Sequence, residues 1–183
     1  MKHIWVFIVT FLLGVYPMNA SEDLSNTSWV TIKDDAEQLQ ASFPHQPVHM
    51  QFDVSKKEQL DVYVSPFKEG IVTLFILSGR PLKDSDLEPK AFENLFYSVF
   101  VQRMFNQPKI FKVNQQIDHE KTSFEGNPAL KFSFSYQDRD KTRLLEGLTI
   151  LKDEQLITLF YLASEDVFNE AILQRFIDSL QLN

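Results

Sequence analysis

Apolar and polar positions alternate along two neighbouring segments near the start of the chain. Every second residue is apolar over residues 39–43, and the same spacing returns over residues 48–54. A period of two is typical of a β-strand with one buried face. Pro44 and Pro47 lie between the two segments, and proline cannot donate a hydrogen bond to a sheet. The pattern therefore predicts two strands joined by a hairpin corner at residues 44–47.

Two later segments are apolar on both faces. The sequence "IVTLFIL" at residues 71–77 and the sequence "LITLFYLA" at residues 156–163 have no consistent polar side. Strands of this kind lie at the centre of a sheet that is covered on both faces. Four more strand patterns occupy residues 59–67, 109–117, 129–136 and 142–151. The segment "DRDK" predicts a hairpin between the last two of them.

Two segments change to the helical period of 3.6 residues. A helix of about five turns is predicted within residues 84–105. One stripe of this helix is apolar and consists of Phe92, Leu95, Phe96, Val99 and Phe100. A second helix is predicted after Ser164 as its cap, with Phe168, Ile172, Phe176 and Leu180 on one side. The order of strands, helix, strands and helix predicts an α+β fold, an antiparallel β-sheet sandwiched between helices.

Three further apolar residues fall on the opposite side of the longer predicted helix. At ~100° per residue, Tyr97, Val101 and Phe105 lie ~140° to ~220° away from Phe92. A surface helix normally places polar groups on that side, so something has to cover these three side chains. Another part of the same chain is one candidate. A partner protein is the other, and on that interpretation Tyr97, Val101 and Phe105 are the partner-binding residues.

The first twenty residues have the layout of a secretory signal peptide. Lys2 and His3 precede the apolar run 4–16, and a short segment then ends at Ala20. The apolar run is shorter than the ~20 residues of a membrane-spanning helix, so no stable membrane insertion is expected after cleavage. We expect an exported protein, either periplasmic or secreted. The predicted parts are a signal peptide at residues 1–20, a flexible segment at 21–28 and a single domain at 29–183.

Composition narrows the class of protein further. The chain has no cysteine, which excludes a disulfide-stapled fold and a lipoprotein anchored through an acylated cysteine. Seventeen phenylalanines predict a core rich in aromatic rings. Without residues 1–20 the chain carries 17 basic and 25 acidic side chains, a net charge near −8. That balance argues against nucleic acid and anionic membranes as partners.

The histidines are the first residues to test for chemistry. His45 and His49 have helical i, i+4 spacing, but the prolines prevent a helix, and in a strand they lie ~13 Å apart. His119 lies between Asp118 and Glu120, and adjacent strand residues point to opposite faces. The spacing therefore predicts neither a metal site nor a catalytic triad. Each histidine is expected to be replaceable at little cost in stability.

Motifs of the common enzyme classes are absent from the sequence as well. The sequence contains no nucleophile elbow, phosphate-binding glycine loop or zinc-ligand spacing. We therefore expect neither enzymatic activity nor a cofactor. Asn26 begins the tripeptide "NTS", which fits an N-glycosylation acceptor if the host is eukaryotic.

Several segments follow one another in a distinctive order. "ASFPHQP" ends the first predicted strand, "FEGNPALKFSFSY" places Gly126 before a strand, and "ITLFYLAS" precedes a helix that contains "RFIDSLQL". In this order, over residues 29–182, the chain resembles the Mog1/PsbP-like domains. The resemblance implies a three-layer sandwich in proteins that bind or help to assemble other proteins. It supplies no partner-specific motif from which binding residues could be transferred.

The expected function is that of an exported, non-catalytic protein-binding or assembly module, whose partner is another protein. The alternative is a small-ligand carrier or an enzyme of the extracytoplasmic space. The two classes differ in structure. A carrier or an enzyme needs an enclosed pocket with converging polar groups, whereas an assembly module has a filled core and an exposed apolar or acidic patch.

Overall fold

The computed structural model describes residues 28–34, 36, 38–79, 82–96, 112–113, 118–138 and 141–182. The helices in this part of the chain are α1 (Pro89–Phe96) and α2 (Glu170–Asp178), and short 3-10 turns occupy Asp84–Leu87 and Glu165–Val167. The strands are β1 (Val30–Asp34), β2 (Leu39–Phe43), β3 (Val48–Asp53), β4 (Gln59–Phe67), β5 (Gly70–Ser78), β6 (Lys112–Val113), β7 (Asp118–Phe124), β8 (Asn127–Asp138), β9 (Lys141–Lys152), β10 (Gln155–Ser164) and β11 (Gln181–Leu182).

The strands form two sheets in which all pairs are antiparallel. The small sheet has the order β1-β2-β11. The large sheet has the order β3-β4-β5-β10-β9-β8-β6, and β7 also pairs with β8. The predicted fold class is therefore wrong. The described residues are mostly β-strand in two sheets with two short helices, rather than α+β with one sheet sandwiched between helices.

The small sheet occupies space that the sequence pattern assigned to a layer of helices. Leu39, Ala41 and Phe43 lie on one face of β2, and all three are buried in one cluster with residues of α2 and the large sheet. The ring centroids of Phe43 and Phe176 are 5.1 Å apart. The small sheet and α2 therefore share the covering of one face, and a complete helical layer is not needed there.

The predicted hairpin corner at residues 44–47 is also wrong, although both of its strands form. β2 pairs with β1 and β11, whereas β3 pairs with β4. The segment between them crosses from the small sheet to the large one. The backbone N–H of His45 donates to Ser65 Oγ at 3.1 Å, and Ser65 Oγ donates to the His45 carbonyl at 3.0 Å. These two bonds fix the crossing against β4.

Buried side chains form one cluster on each face of the large sheet. The first cluster includes Leu87 of the 3-10 turn and Phe92 of α1. It also holds the apolar side of β8, confirming the predicted set Leu130, Phe132, Phe134 and Tyr136. The second cluster joins the large sheet to the small sheet and α2. β5 and β10 contribute to both clusters at the centre of the sheet, as their apolar faces predicted.

Helix α2 begins later than the sequence pattern predicted. Ser164 does not cap it, since Ser164 Oγ accepts a hydrogen bond from Arg143 Nη1 at 2.9 Å. The cap is Asn169, whose Oδ1 accepts the N–H of Ala171 at 3.1 Å. Ile172 and Phe176 are buried, as the apolar stripe predicted.

Tight turns fix the registers of the strands that position the candidate site. Phe124 pairs with Asn127, so Glu125 and Gly126 form a two-residue turn with φ values of 48° and 81°. Positive φ at both positions gives the type I′ geometry that suits the twist of a hairpin. The predicted hairpin between β8 and β9 is confirmed. Each turn sets which residues face one another along the whole length of its strands.

Candidate binding groove

An open groove of about 610 Å³ lies between helix α2 and the strands β7, β8 and β9. Helix α2 packs on β9 and β10. Strands β8 and β7 extend the large sheet beyond the helix. The groove lies between the helix and this extension of the sheet. This space, the binding groove, is lined by Asp118, His119, Glu120, Lys131, Phe132, Ser133, Glu146, Gly147, Glu170, Ala171, Leu173, Gln174 and Ile177.

Three polar residues form a row across the strands of the groove. Asp118 of β7 lies opposite Ser133 of β8, and Ser133 lies opposite Glu146 of β9. Residues that face each other in neighbouring antiparallel strands share one side of the sheet. Ser133 Oγ donates a hydrogen bond to Glu146 Oε1 at 3.1 Å. The row exists because the β7–β8 and β8–β9 turns set these registers.

The binding groove carries an excess of negative charge. Four carboxylates line it, from Asp118, Glu120, Glu146 and Glu170. Among the lining residues that the structure describes, Lys131 is the single lysine or arginine, and it lies opposite Glu120 in the register of β7 and β8. One lysine cannot balance four carboxylates, so the groove attracts positively charged groups.

The surroundings of Glu146 disfavour the ionised form of its carboxyl. Burial raises the pKa of Glu146 above its ordinary value of 4.5, the hydrogen bond from Ser133 lowers it, and the charge of Glu170 raises it again. Burial acts in this direction because a carboxylate loses hydration. Tyr161 lies opposite Glu146 on β10, and burial raises the pKa of Tyr161 to about 12, so its hydroxyl stays neutral. Carboxyls with raised pKa values concentrate at functional sites.

The wall that α2 contributes is partly apolar. Leu173 is buried and Ile177 is half-buried, and both side chains line the groove. Gln174 is exposed between them and donates to Asp178 Oδ1 at 2.7 Å. An apolar wall beside carboxylates suits lysine and arginine, because their aliphatic stems pack on apolar surface while their charged ends reach the acids.

A second group of polar side chains surrounds Asp61 in the large sheet, far along the chain from the groove residues. Asp61 is 2% exposed, and its Oδ1 accepts hydrogen bonds from His49 Nε2 at 2.8 Å and Gln51 Nε2 at 3.1 Å. Its Oδ2 accepts a bond from Gln59 Nε2 at 2.7 Å. The His49 ring stacks on Tyr63, with ring centroids 4.3 Å apart. This group ties β3 to β4 through side chains.

Sequence reasoning missed Asp61, although a signal was present. Asp61 is an acidic residue within the predicted strand 59–67, and a carboxylate at a buried strand position needs donors nearby. His49 lies on the polar side of the alternating strand pattern at residues 48–54, and its side chain is 45% exposed. Its bond to Asp61 nevertheless gives it a structural role that the sequence pattern did not indicate.

We expect His49→Ala to lower the free energy of unfolding by about 1–2 kcal/mol, because the buried Asp61 carboxylate loses one of its donors. This value replaces the negligible effect expected from the sequence. His45→Ala is the matched control, since His45 bonds to Ser65 through its backbone alone in the contacts above; it should change stability by less than about 0.5 kcal/mol. Urea denaturation of both variants provides the measurement. Equal stabilities would show that the Asp61 contact contributes nothing.

The other residues singled out from the sequence fall into two groups. Asp118 and Glu120 share the groove side of β7, whereas His119 lies opposite Phe132, a member of the first cluster. The predicted separation of His119 from its acidic neighbours is therefore confirmed. The predicted partner-binding residues Tyr97, Val101 and Phe105 lie outside the described residues, and their role stays a prediction.

The described residues contain neither a cluster of metal-binding side chains nor a membrane-spanning helix. In these parts of the chain, no group of three or more His, Cys, Asp or Glu side chains is placed to hold a metal ion. Across the same residues, no helix combines the length and the apolar character needed to cross a membrane.

Comparison with known proteins gives no family assignment. No family model matches the chain, and no curated protein matches it. Among solved structures, one similar chain is a protein of unknown function from Pseudomonas aeruginosa, PA94, described as a putative regulator. It has 11% identity and a TM-score of 0.37, with 75% of this chain and 84% of that chain covered.

A second similar structure is LpqN of Mycobacterium tuberculosis, described as involved in cell envelope biogenesis. It has 12% identity and a TM-score of 0.37, with 85% of this chain and 84% of that chain covered. Both TM-scores are too low to support an argument about the fold or the function of this chain.

Proposed function

We propose that this chain is an exported, non-catalytic protein-binding module that holds a basic segment of another protein in the binding groove. The single observation that carries the proposal is the groove itself. It is open, about 610 Å³ in volume, and lined by four carboxylates and one lysine beside an apolar wall. A segment with lysine or arginine fits this combination of charge and apolar surface.

Export is proposed from the sequence alone, on the basic, apolar and small-residue segments of residues 2–20. Membership of the Mog1/PsbP-like family is likewise a proposal from sequence patterns. The sheet between helices that this resemblance implied is not the arrangement of the described residues, so the function rests on the groove and not on the family.

The open shape of the groove favours a binding module over a small-ligand carrier or an enzyme. A carrier encloses its ligand and removes most of the ligand surface from water. In the described part of the chain, both faces of the large sheet are filled by clustered side chains, and the groove is open to solvent. An extended protein segment can enter such a groove from the side without any conformational change.

We expect the protein to bind a synthetic lysine-rich peptide and not a glutamate-rich peptide of equal length. The double variant Glu146→Gln/Glu170→Gln removes two of the four groove carboxylates and should weaken binding roughly tenfold or more, as loss of partly buried charge contacts does. Isothermal titration calorimetry at two salt concentrations measures the effect, and higher salt should weaken the wild-type complex.

Asp153→Asn/Glu154→Gln is the matched control, because it removes the same two negative charges from the exposed turn between β9 and β10. It should leave the affinity for the lysine-rich peptide unchanged. Equal losses in this turn variant and in the groove variant would mean that net charge alone attracts the peptide, and the groove would then not be the binding site.

Glu146→Gln should stabilise the folded protein at neutral pH while weakening peptide binding. The folded-state pKa of Glu146 is raised, so the folded protein holds this proton more tightly than the unfolded chain does. Stability is therefore lost as the pH rises from about 4.5 through the raised pKa, and a glutamine avoids that loss. Thermal melts of both proteins across this pH range should converge at the acidic end. A variant that is less stable at neutral pH would contradict the assignment.

The natural partner can be sought with the same variants. Protein isolated from the envelope fraction should begin at Ser21. Cross-linking in that fraction should capture a protein that the double groove variant loses and that Asp153→Asn/Glu154→Gln retains. Identical captures by all three proteins would contradict the groove. A chain that begins at Met1 and stays in the cytosolic fraction would contradict export.

A further inference from the structure

The binding groove has a direction, because helix α2 runs along strand β7. At the start of α2, Glu170 lies close enough to Glu146 for its charge to raise the pKa of that carboxyl. Soon after the end of α2, the N–H of Leu182 donates to Glu125 Oε2 at 3.2 Å, in the turn that follows β7. The helix therefore runs from the polar row across β7, β8 and β9 toward that turn, and the groove runs with it.

The negative charge of the groove is concentrated at the end where α2 begins. Asp118, Glu146 and Glu170 lie at this acidic end, and none of the described lining residues in that row is a lysine or an arginine. The next row on the same side of the sheet sets Glu120 of β7 opposite Lys131 of β8. Opposite charges that face each other across strands offset one another. A cation is therefore favoured at the acidic end and not in the next row.

Aliphatic surface follows the acidic end along α2. Leu173 and Ile177 come three and seven residues after Glu170, so all three lie on one side of the helix. At a rise of ~1.5 Å per residue, the two aliphatic residues lie ~4.5 and ~10.5 Å beyond Glu170 along the helix axis. Both side chains line the groove. The groove thus presents charge first and apolar surface a short distance later.

An extended segment fits the size of the groove better than a helix does. A helix with its side chains is ~10–12 Å across, so ~10 Å of its length fills ~800 Å³ or more, whereas the groove has about 610 Å³. In an extended chain, residues two positions apart point to the same side and are separated by ~6.6–6.8 Å. A residue two positions from one held at the acidic end therefore lies between the levels of Leu173 and Ile177.

We propose that the binding groove selects a segment in which a lysine or arginine and an aliphatic residue lie two positions apart, rather than a run of basic residues. The inference rests on the proposed function and names the class of segment that the groove binds. The basic residue is held at the acidic end, and the aliphatic residue packs on Leu173 and Ile177, where burial of apolar surface adds to the affinity. A second basic residue in that place would meet the charge of Lys131.

Two capped peptides of equal composition test the spacing. Leu-Gln-Lys-Gln-Leu has a leucine two positions from the lysine in either chain direction, whereas Gln-Leu-Lys-Leu-Gln has its leucines next to the lysine. The first peptide should bind roughly fivefold more tightly, as partial burial of one leucine side chain provides. Fluorescence anisotropy of labelled peptides measures both affinities.

The outcomes separate this inference from the proposed function. Equal affinities for the two peptides, both weakened by Glu146→Gln/Glu170→Gln, would overturn the spacing and leave the groove as a site for basic segments. Binding of neither peptide would overturn the proposed function and the spacing together.

Ile177→Ser tests the aliphatic wall. It should lower the affinity for Leu-Gln-Lys-Gln-Leu and bring the two peptides to equal affinity, with circular dichroism confirming that the variant is folded. Glu170→Gln is the matched variant from the same side of α2, at an exposed position. It should weaken both peptides by the same factor and so preserve their ratio. A fivefold ratio that survives Ile177→Ser would overturn the proposal.

Lys131→Gln tests the second row without altering the wall, and folding should be unaffected because Lys131 is exposed. The substitution should raise the affinity for Lys-Gln-Lys-Gln-Lys more than the affinity for Leu-Gln-Lys-Gln-Leu, since it removes the charge that opposes a second basic residue. Lys141→Gln, at the exposed start of β9, removes the same charge outside the groove lining and is the control. Equal gains for Lys-Gln-Lys-Gln-Lys in the two variants would overturn the role of Lys131 and with it the proposed selectivity.

Discussion

Phe176→Ala should lower the free energy of unfolding by about 3–5 kcal/mol, the range found when a fully buried phenylalanine is truncated. Phe176 is 0% exposed and lies in the second cluster, where it joins α2 to the small sheet and the large sheet. Its ring lies 5.1 Å from that of Phe43. Truncation leaves a cavity where three layers meet, and none of them can close it alone. Guanidinium denaturation followed by circular dichroism measures the loss.

Val167→Ala is the control for this prediction, because Val167 belongs to the adjoining 3-10 turn and is 45% exposed. It should change stability by less than about 0.5 kcal/mol. Since α2 forms one wall of the binding groove, Phe176→Ala should also weaken binding of the lysine-rich peptide. Similar stabilities for the two variants would mean that α2 is not held by the cluster.

Gly147→Ala should destabilise the protein by about 3 kcal/mol, near the upper end for overpacking of a core. A Cβ atom at this position would lie 2.2 Å from the carbonyl oxygen of Leu159 and 2.7 Å from Cζ of Phe132. A backbone oxygen cannot rotate away as a side chain can. The substitution therefore has to move β9 relative to β10 at the centre of the large sheet, and differential scanning calorimetry should show the loss as a lower Tm.

Gly126→Asn separates this steric effect from the loss of a glycine as such. Gly126 has a φ of 81°, and nothing lies within 4 Å of a Cβ built there. Asparagine tolerates left-handed backbone, so this variant should cost less than about 1 kcal/mol. If Gly147→Ala is as mild as Gly126→Asn, the close approach of β9 and β10 is not required by the fold.

Only part of the candidate site could be predicted from the sequence. The alternation around residues 118–120 predicted that Asp118 and Glu120 share a side, and the pairing of β7 with β8 agrees. The same pattern did not bring Glu146 or Glu170 to that side. Those two residues reach the groove through the registers of three strands and the position of α2, and these depend on contacts between segments distant in sequence.

Local order along the chain determined most strands of the large sheet. The period of two and the doubly apolar runs identified β4, β5, β8, β9 and β10, because side-chain direction within a strand depends only on the backbone of that strand. The turn at Glu125 and Gly126 follows equally from local chemistry. Only the tertiary structure decided that β2 leaves β3 for another sheet, that the small sheet and α2 share one face, and that Asp61 has three donors. An alternating strand can pair with any complementary strand. The choice among partners depends on the total surface that each arrangement buries, and no single segment determines that total.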